Sequence, residues 1–156
     1  MPEYQVTIKK VAPQLVASIR AVLPTYNNIG QLYGEIFRYL GEKSVFMPAG
    51  PMIFISHDSS FKERDADVEA AVPINKNITG SDRVKVYELL GIEAASITHK
   101  GPHEGVSKAY STLMAWIGSN GYQVIGPTRQ LFLTNPGMVK NPSENVTEIQ
   151  LPVKKA

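Results

Sequence analysis

The chain repeats itself once, and that repeat constrains the fold more than any single motif. The stretch 84–102, VKVYELLGIEAASITHKGP, follows in pattern and partly in letter the stretch 6–24, VTIKKVAPQLVASIRAVLP. Val6 and Val84, Ala17 and Ala95, Ser18 and Ser96, Ile19 and Ile97, and Pro24 and Pro102 are each 78 positions apart. Ile29, Leu32, Tyr33, Ile36, Tyr39 and Leu40 fall 77 before Val106, Ala109, Tyr110, Leu113, Trp116 and Ile117. Gly50-Pro51 is answered by Gly126-Pro127, and Glu69 with Val72-Pro73-Ile74 by Glu148 with Leu151-Pro152-Val153. Blocks in one order with a small drift in offset describe a duplicated module, and the period is too long for a solenoid. One domain over 1–156 is expected, built from like halves at about 4–74 and 82–153.

Local patterning assigns the elements within each half. Tyr4, Val6 and Ile8 alternate with polar residues as in a half-buried strand. Leu15 to Ala21 reads as a second strand. The apolar positions from Ile29 to Leu40 recur at three and four, which is one stripe of an amphipathic helix, with Gly41 expected as its C-terminal cap. Met52 to Ser56 and Asp67 to Ile74 follow as strands, and 75–82 (NKNITGSD) as a linker. The second half reads likewise. Val84 to Leu89 and Ile92 to Thr98 are strands, Val106 to Ile117 is a helix capped by Gly118 or Gly121, and Thr128 to Leu133 and Val146 to Val153 are strands. Gln123 to Ile125 runs into a turn, and Asn135 to Glu144 is a turn-rich excursion. Short connections imply antiparallel pairing, so the expected fold is α+β, an antiparallel sheet with two main helices on one face.

Composition removes several function classes. The balance of 16 basic and 14 acidic residues, with no basic cluster longer than a pair, lacks the footprint of direct nucleic-acid binding. Absent cysteine removes disulfide and thiolate chemistry. No apolar run reaches membrane-spanning length and none resembles a signal core, so a cytoplasmic location is expected. No phosphate-cradling glycine loop or nucleophile elbow is present. His99 and His103 flank Gly101-Pro102 and cannot share a helix face as zinc ligands would, so neither metal nor cofactor is expected.

The aromatics are the notable chemistry. Tyr33 and Tyr110 occupy equivalent helix positions, as do Tyr39 and Trp116; core packing is the plain reading. The other reading is a groove between two related helices, the usual form of a small-molecule site. On the strand after Gly126-Pro127, Thr128, Gln130 and Phe132 share one face and Arg129, Leu131 and Leu133 the other. The equivalent first-half face carries Met52 and Phe54.

The strings VASIR, DVEAAVPI, HKGPHEG, LMAWIGSNGYQVIGP and TEIQLPV, in this order from about Tyr4 to Val153, resemble the GyrI-like domain, also called the AraC-type effector-binding domain. The resemblance implies duplicated strand-helix-strand-strand modules with pseudo-twofold symmetry, an antiparallel sheet and a ligand groove between the helices. It also implies a bacterial protein sensing organic, often cationic or lipophilic compounds in multidrug binding or transcription regulation. With nothing before Tyr4, a stand-alone member is expected. The family's ligand-reading acid falls at Gln130, which cannot neutralise a buried cation. Tyr33 corresponds to a pocket aromatic of the first helix, and the family often has tyrosine at the positions of His103 and Phe132. The expected ligand-binding set is therefore Tyr33, Phe54, Tyr110, Trp116, Gln130, Phe132 and Glu148.

Three functions remain open: a binding protein for an amphipathic or aromatic small molecule, a hydrolase of reactive electrophiles such as cyclopropanoids, and an interaction protein acting on a regulator or a topoisomerase. In the hydrolase reading Glu148 and Glu69 are the candidate bases and Tyr33 the proton donor. Either carboxylate could instead face solvent.

Overall fold

The computed structural model describes residues 4–24, 28–58, 65–102, 105–134 and 141–156. The loop at 59–64, His103 with Glu104, and positions 135–140 of the turn-rich excursion lie outside the described residues, as does 25–27 at the expected start of the first helix. In order the elements are β1 (Val6–Val11), β2 (Gln14–Leu23), α1 (Ile29–Glu42), β3 (Met52–Ser56), β4 (Ala66–Pro73), β5 (Lys85–Leu89), β6 (Ile92–Lys100), α2 (Val106–Ser119), β7 (Tyr122–Val124), β8 (Thr128–Phe132) and β9 (Val146–Lys155). Every described strand pair is antiparallel, and the architecture is the α+β class expected from short connections. No helix among the described residues is long and apolar enough to cross a membrane.

The chain forms two compact units, Pro13–Leu90 and Met1–Ala12 with Gly91–Ala156. The first has strand order β3-β4-β2-β5 and the second β8-β9-β6-β1. The two four-strand orders correspond, with β7 adding a further pair to β9 in the second unit, but β1 belongs with β6 to β9 and β5 with β2 to β4. The boundary between units therefore falls after the first strand of each sequence repeat rather than between repeats.

In the second unit α2 lays Ala109, Leu113 and Ile117 on Ala95 and Ile97 of β6 and Ile149, Leu151 and Val153 of β9. Three- and four-residue spacing on the helix meets two-residue spacing on the strands, which builds a dry layer. Leu113 is fully buried there, a burial that contributes roughly 1.5–3 kcal/mol. In the first unit Leu32, Tyr33, Ile36 and Leu40 form the buried stripe of α1, which packs on β4 and β2.

The Gly-Pro turns have the same seat in each unit. Ala49 donates its N–H to the Pro73 carbonyl at 2.8 Å, and Ile125 donates to the Pro152 carbonyl at 2.8 Å. Gly126 lies so near Pro152 that a Cβ would sit 3.1 Å from its ring. This accounts for two blocks of the repeat at once.

Two local details differ from the sequence expectation, and a third decides between its alternatives. Helix α1 runs through Gly41 to Glu42, and the left-handed residue that ends it is Ser44 (φ 62°). Val45 then donates back to the Leu40 carbonyl at 2.8 Å while burying its own side chain, so a hydrophobic contact fixes the stop where a glycine was expected to. At α2 the left-handed position is Gly121 (φ 76°), the second of the two glycines considered. Tyr122–Val124 is a strand, paired with Lys155–Val153, instead of running into a turn.

Candidate functional site

Register divides the sheet of the second unit into two chemically distinct faces. Ile97 packs under α2; Ile149 stands opposite it, and Gln130 stands opposite Ile149. Directly opposed side chains point the same way, so Gln130 is on the helix side. The next row is Thr7, Ser96, Gln150 and Arg129, across β1, β6, β9 and β8, on the other side. Glu148, opposite Thr98, shares that side with Lys9. This face is polar yet enclosed: Ser96, Glu148, Gln150 and Arg129 are all buried.

Glu148 is held by three donors. The Ser96 hydroxyl donates to its Oε2 at 2.7 Å and Gln150 Nε2 to the same oxygen at 2.9 Å, while the Lys9 ammonium ion-pairs with it across β6. Burial alone would push this carboxyl up; the hydrogen bonds from Gln150, Lys9 and Ser96, with the Lys9 charge, outweigh burial and hold it below the ordinary 4.5. Gln150 donates on one side only, and among the described residues its buried Oε1 has no hydrogen-bond partner.

The first unit carries a counterpart at Glu69. Ile55, Glu69 and Arg20 line up across β3, β4 and β2, and Phe54, Ala70 and Ile19 form the adjacent row on the opposite face. His57 Nε2 lies 2.9 Å from Glu69 Oε1, where it donates, and the Tyr87 hydroxyl donates to Oε2. Tyr87 is 78 positions after Lys9, so corresponding strands supply a cationic partner to Glu148 and a phenolic one to Glu69. Asp67, on the same face as Glu69, forms a two-pronged pair with Arg20 at 2.9 and 3.0 Å near the surface.

A cavity of about 480 Å³ opens along the β1–β6 pair, lined by Tyr4, Gln5, Thr7, Ser96 and Thr98. By alternation Gln5, Thr7, Ser96 and Thr98 lie on the polar face, the face of Glu148. Tyr4 closes the edge, its hydroxyl 2.8 Å from His99 Nδ1, while His99 Nε2 donates to the Pro102 carbonyl at 3.0 Å. Both ring nitrogens of this buried histidine are thus engaged within the fold.

The anticipated site residues separate under this geometry. Tyr110 and Trp116 pack against the α2 core, and Trp116 stacks on Tyr122 with ring centroids 5.9 Å apart. Gln130 and Phe132 are half-buried on the helix side of β8, and Glu148 is on the reverse side. Tyr33 is buried in the first unit, where burial pushes its phenol up and its hydroxyl donates to the Ile53 carbonyl at 2.6 Å. Phe54 is buried on the face opposite Glu69. Both carboxylates left open to solvent in the sequence reading are buried.

Lys9, Tyr87, His57, Ser96 and Gln150 were not anticipated. The repeat held a signal for the first two, since Lys9 and Tyr87 share the offset of Val6 and Val84. Among the described residues no group of three or more His, Cys, Asp or Glu could hold a metal ion.

Comparison with known proteins adds the family context. The sequence model of the GyrI-like small molecule binding domain matches residues 4–154. A search of curated proteins finds no match. Among solved structures, EcmrR in its DNA complex is 26% identical with a TM-score of 0.88; the alignment covers 98% of this chain and 58% of EcmrR. The EcmrR C-terminal domain is 26% identical with a TM-score of 0.82, covering 98% of this chain and 99% of that one. SAV2435 bound to tetraphenylphosphonium shares the fold at 14% identity and a TM-score of 0.61, over 98% of this chain and 94% of that one.

Proposed function

The chain belongs to the GyrI-like small molecule binding domain family, and on that footing we propose that it binds an amphipathic or aromatic small molecule, for drug or toxin sensing or sequestration. The observation that carries this reading is the family match over residues 4–154, nearly the whole chain. SAV2435, of the same fold, holds tetraphenylphosphonium, and EcmrR is found on DNA. The aromatic set Tyr33, Phe54, Tyr110, Trp116 and Phe132, with Gln130 and Glu148, supplies the residues to test for the groove anticipated from the sequence.

The direct experiment is a thermal-shift screen of dyes, drugs and neutral aromatics. A ligand at 100 times its dissociation constant stabilises the fold by about 2.7 kcal/mol. Hits that compete with one another support one site; a broad library with no stabiliser refutes the reading.

A second reading, hydrolysis of a strained electrophile, is favoured by one arrangement. Glu69 is a buried carboxylate set between a phenol and an imidazole, the donors and acceptors a proton-transfer step requires. Water would add across a cyclopropane C–C bond, one carbon taking hydroxyl and the other a proton. Incubation with a cyclopropanoid and mass analysis of the product tests it. Turnover that survives both Glu69→Gln and Glu148→Gln removes the two carboxylates as bases.

A further inference from the structure

The polar face of the second unit has an unusual balance of charge and hydrogen bonding. Its buried carboxylate, Glu148, is already matched by Lys9, so the pair offers no net charge to a ligand. All three donors converge on Oε2. Beside it Gln150 is 2% exposed, and its Oε1 accepts nothing from the described residues. The amide cannot be turned over to cure this, because its Nε2 is committed to the carboxylate. A buried acceptor left empty is destabilising, and a ligand's donor would recover that loss.

The adjoining cavity has the size of a small-molecule site, and its lining is hydroxyl and amide without a charged side chain. Ser96 links the two, lining the cavity while donating to Glu148. By alternation Lys9 shares the strand face of the lining residue Thr7, so a permanent cation entering here would find a neighbouring ammonium and no unmatched carboxylate. A cation taken out of water without a countercharge is costly, and a like charge beside it adds repulsion.

We propose that this face takes an uncharged organic ligand through an N–H or O–H donor given to Gln150, and that Lys9 excludes permanent cations. The proposal rests on the small-molecule reading above and names the ligand class and the residues that set it.

Three polyphenyl probes of related shape test it by calorimetry: triphenylmethanol, neutral with an O–H; triphenylphosphine oxide, neutral without a donor; and tetraphenylphosphonium, a cation without a donor. Wild type should bind triphenylmethanol tightest and the phosphonium weakest. Lys9→Met keeps the apolar stem and removes the charge; it should raise phosphonium affinity at least about tenfold, with the alcohol changing less than about threefold. Gln150→Met should weaken the alcohol about tenfold and leave the phosphine oxide unchanged. A wild-type preference for the phosphonium, or one unmoved by Lys9→Met, overturns the charge assignment while leaving small-molecule binding intact. An alcohol affinity unmoved by Gln150→Met overturns the assignment of the donor's partner. Failure of all three probes, together with an empty library screen, overturns both this proposal and the binding reading.

Discussion

Gln130 and Glu148 occupy opposite sides of one sheet although their positions are diagonal neighbours: Gln130 pairs with Ile149, and Glu148 is the next residue along β9. Glu148 draws its partners from Lys9, Ser96 and Gln150, none of which lies on the Gln130 side.

The two positions should therefore act independently. Gln130→Leu and Glu148→Gln are expected to add in urea denaturation to within about 0.5 kcal/mol. The same pair sorts the ligand: loss of binding in Glu148→Gln alone places it on the polar face, and loss in Gln130→Leu alone on the helix side.

Glu148 should make the protein acid-sensitive. Its folded carboxyl sits below 4.5, so the stability it contributes is present above that pH and is lost as pH falls through the lowered folded value. Urea midpoints followed from about pH 6 to about pH 3 should decline less steeply in Glu148→Gln than in wild type. Parallel curves would show that the carboxyl is not held by its donors.

Gly105, at the mouth of α2, stands against His99. A Cβ there would lie 2.6 Å from His99 Cε1, and the ring is held from both nitrogens by Tyr4 and the Pro102 carbonyl. Gly105→Ala should cost about 1–3 kcal/mol by overpacking, since the φ of −85° suits alanine and the backbone adds no strain. Adding His99→Ala should make the double variant more stable than the sum of the single losses. Full additivity in thermal unfolding would locate the cost elsewhere.

Tyr87→Phe removes one donor from the buried Glu69 carboxylate and should cost about 1.5–3 kcal/mol. Lys9→Met, at a side chain 43% exposed, should cost less, because solvent screens the pair it breaks. Equilibrium unfolding of the two single variants checks the order.

The elements were legible because their causes are local. Alternation marked β1, the three-and-four stripe marked both helices, and Gly118 and Gly121 bracketed the end of α2. Alternation also divided Gln130 and Phe132 from Arg129 and Leu131. What it could not supply was which side faces the helix, because that depends on the Ile97–Ile149 pairing of strands 52 positions apart. Lys9 read as an outward residue of β1 for the same reason, its acidic partner lying far along the chain on β9. Ser44 ends α1 through a contact made by Val45, which glycine-based reasoning passes over.

The membership of β1 in the unit that begins again at Gly91 also has a kinetic meaning. Residues 13–90 contain all four strands and the helix of their unit, so the ladders among β2 to β5 can close once that contiguous segment exists. Val6 must wait for Ile97, 91 positions later, before its ladder can close. Loop closure over that span makes β1 a late arrival, leaving its apolar side uncovered while the chain between is still assembling. During synthesis, early protection belongs to residues 13–90, and β1, made before them, finds its place after them.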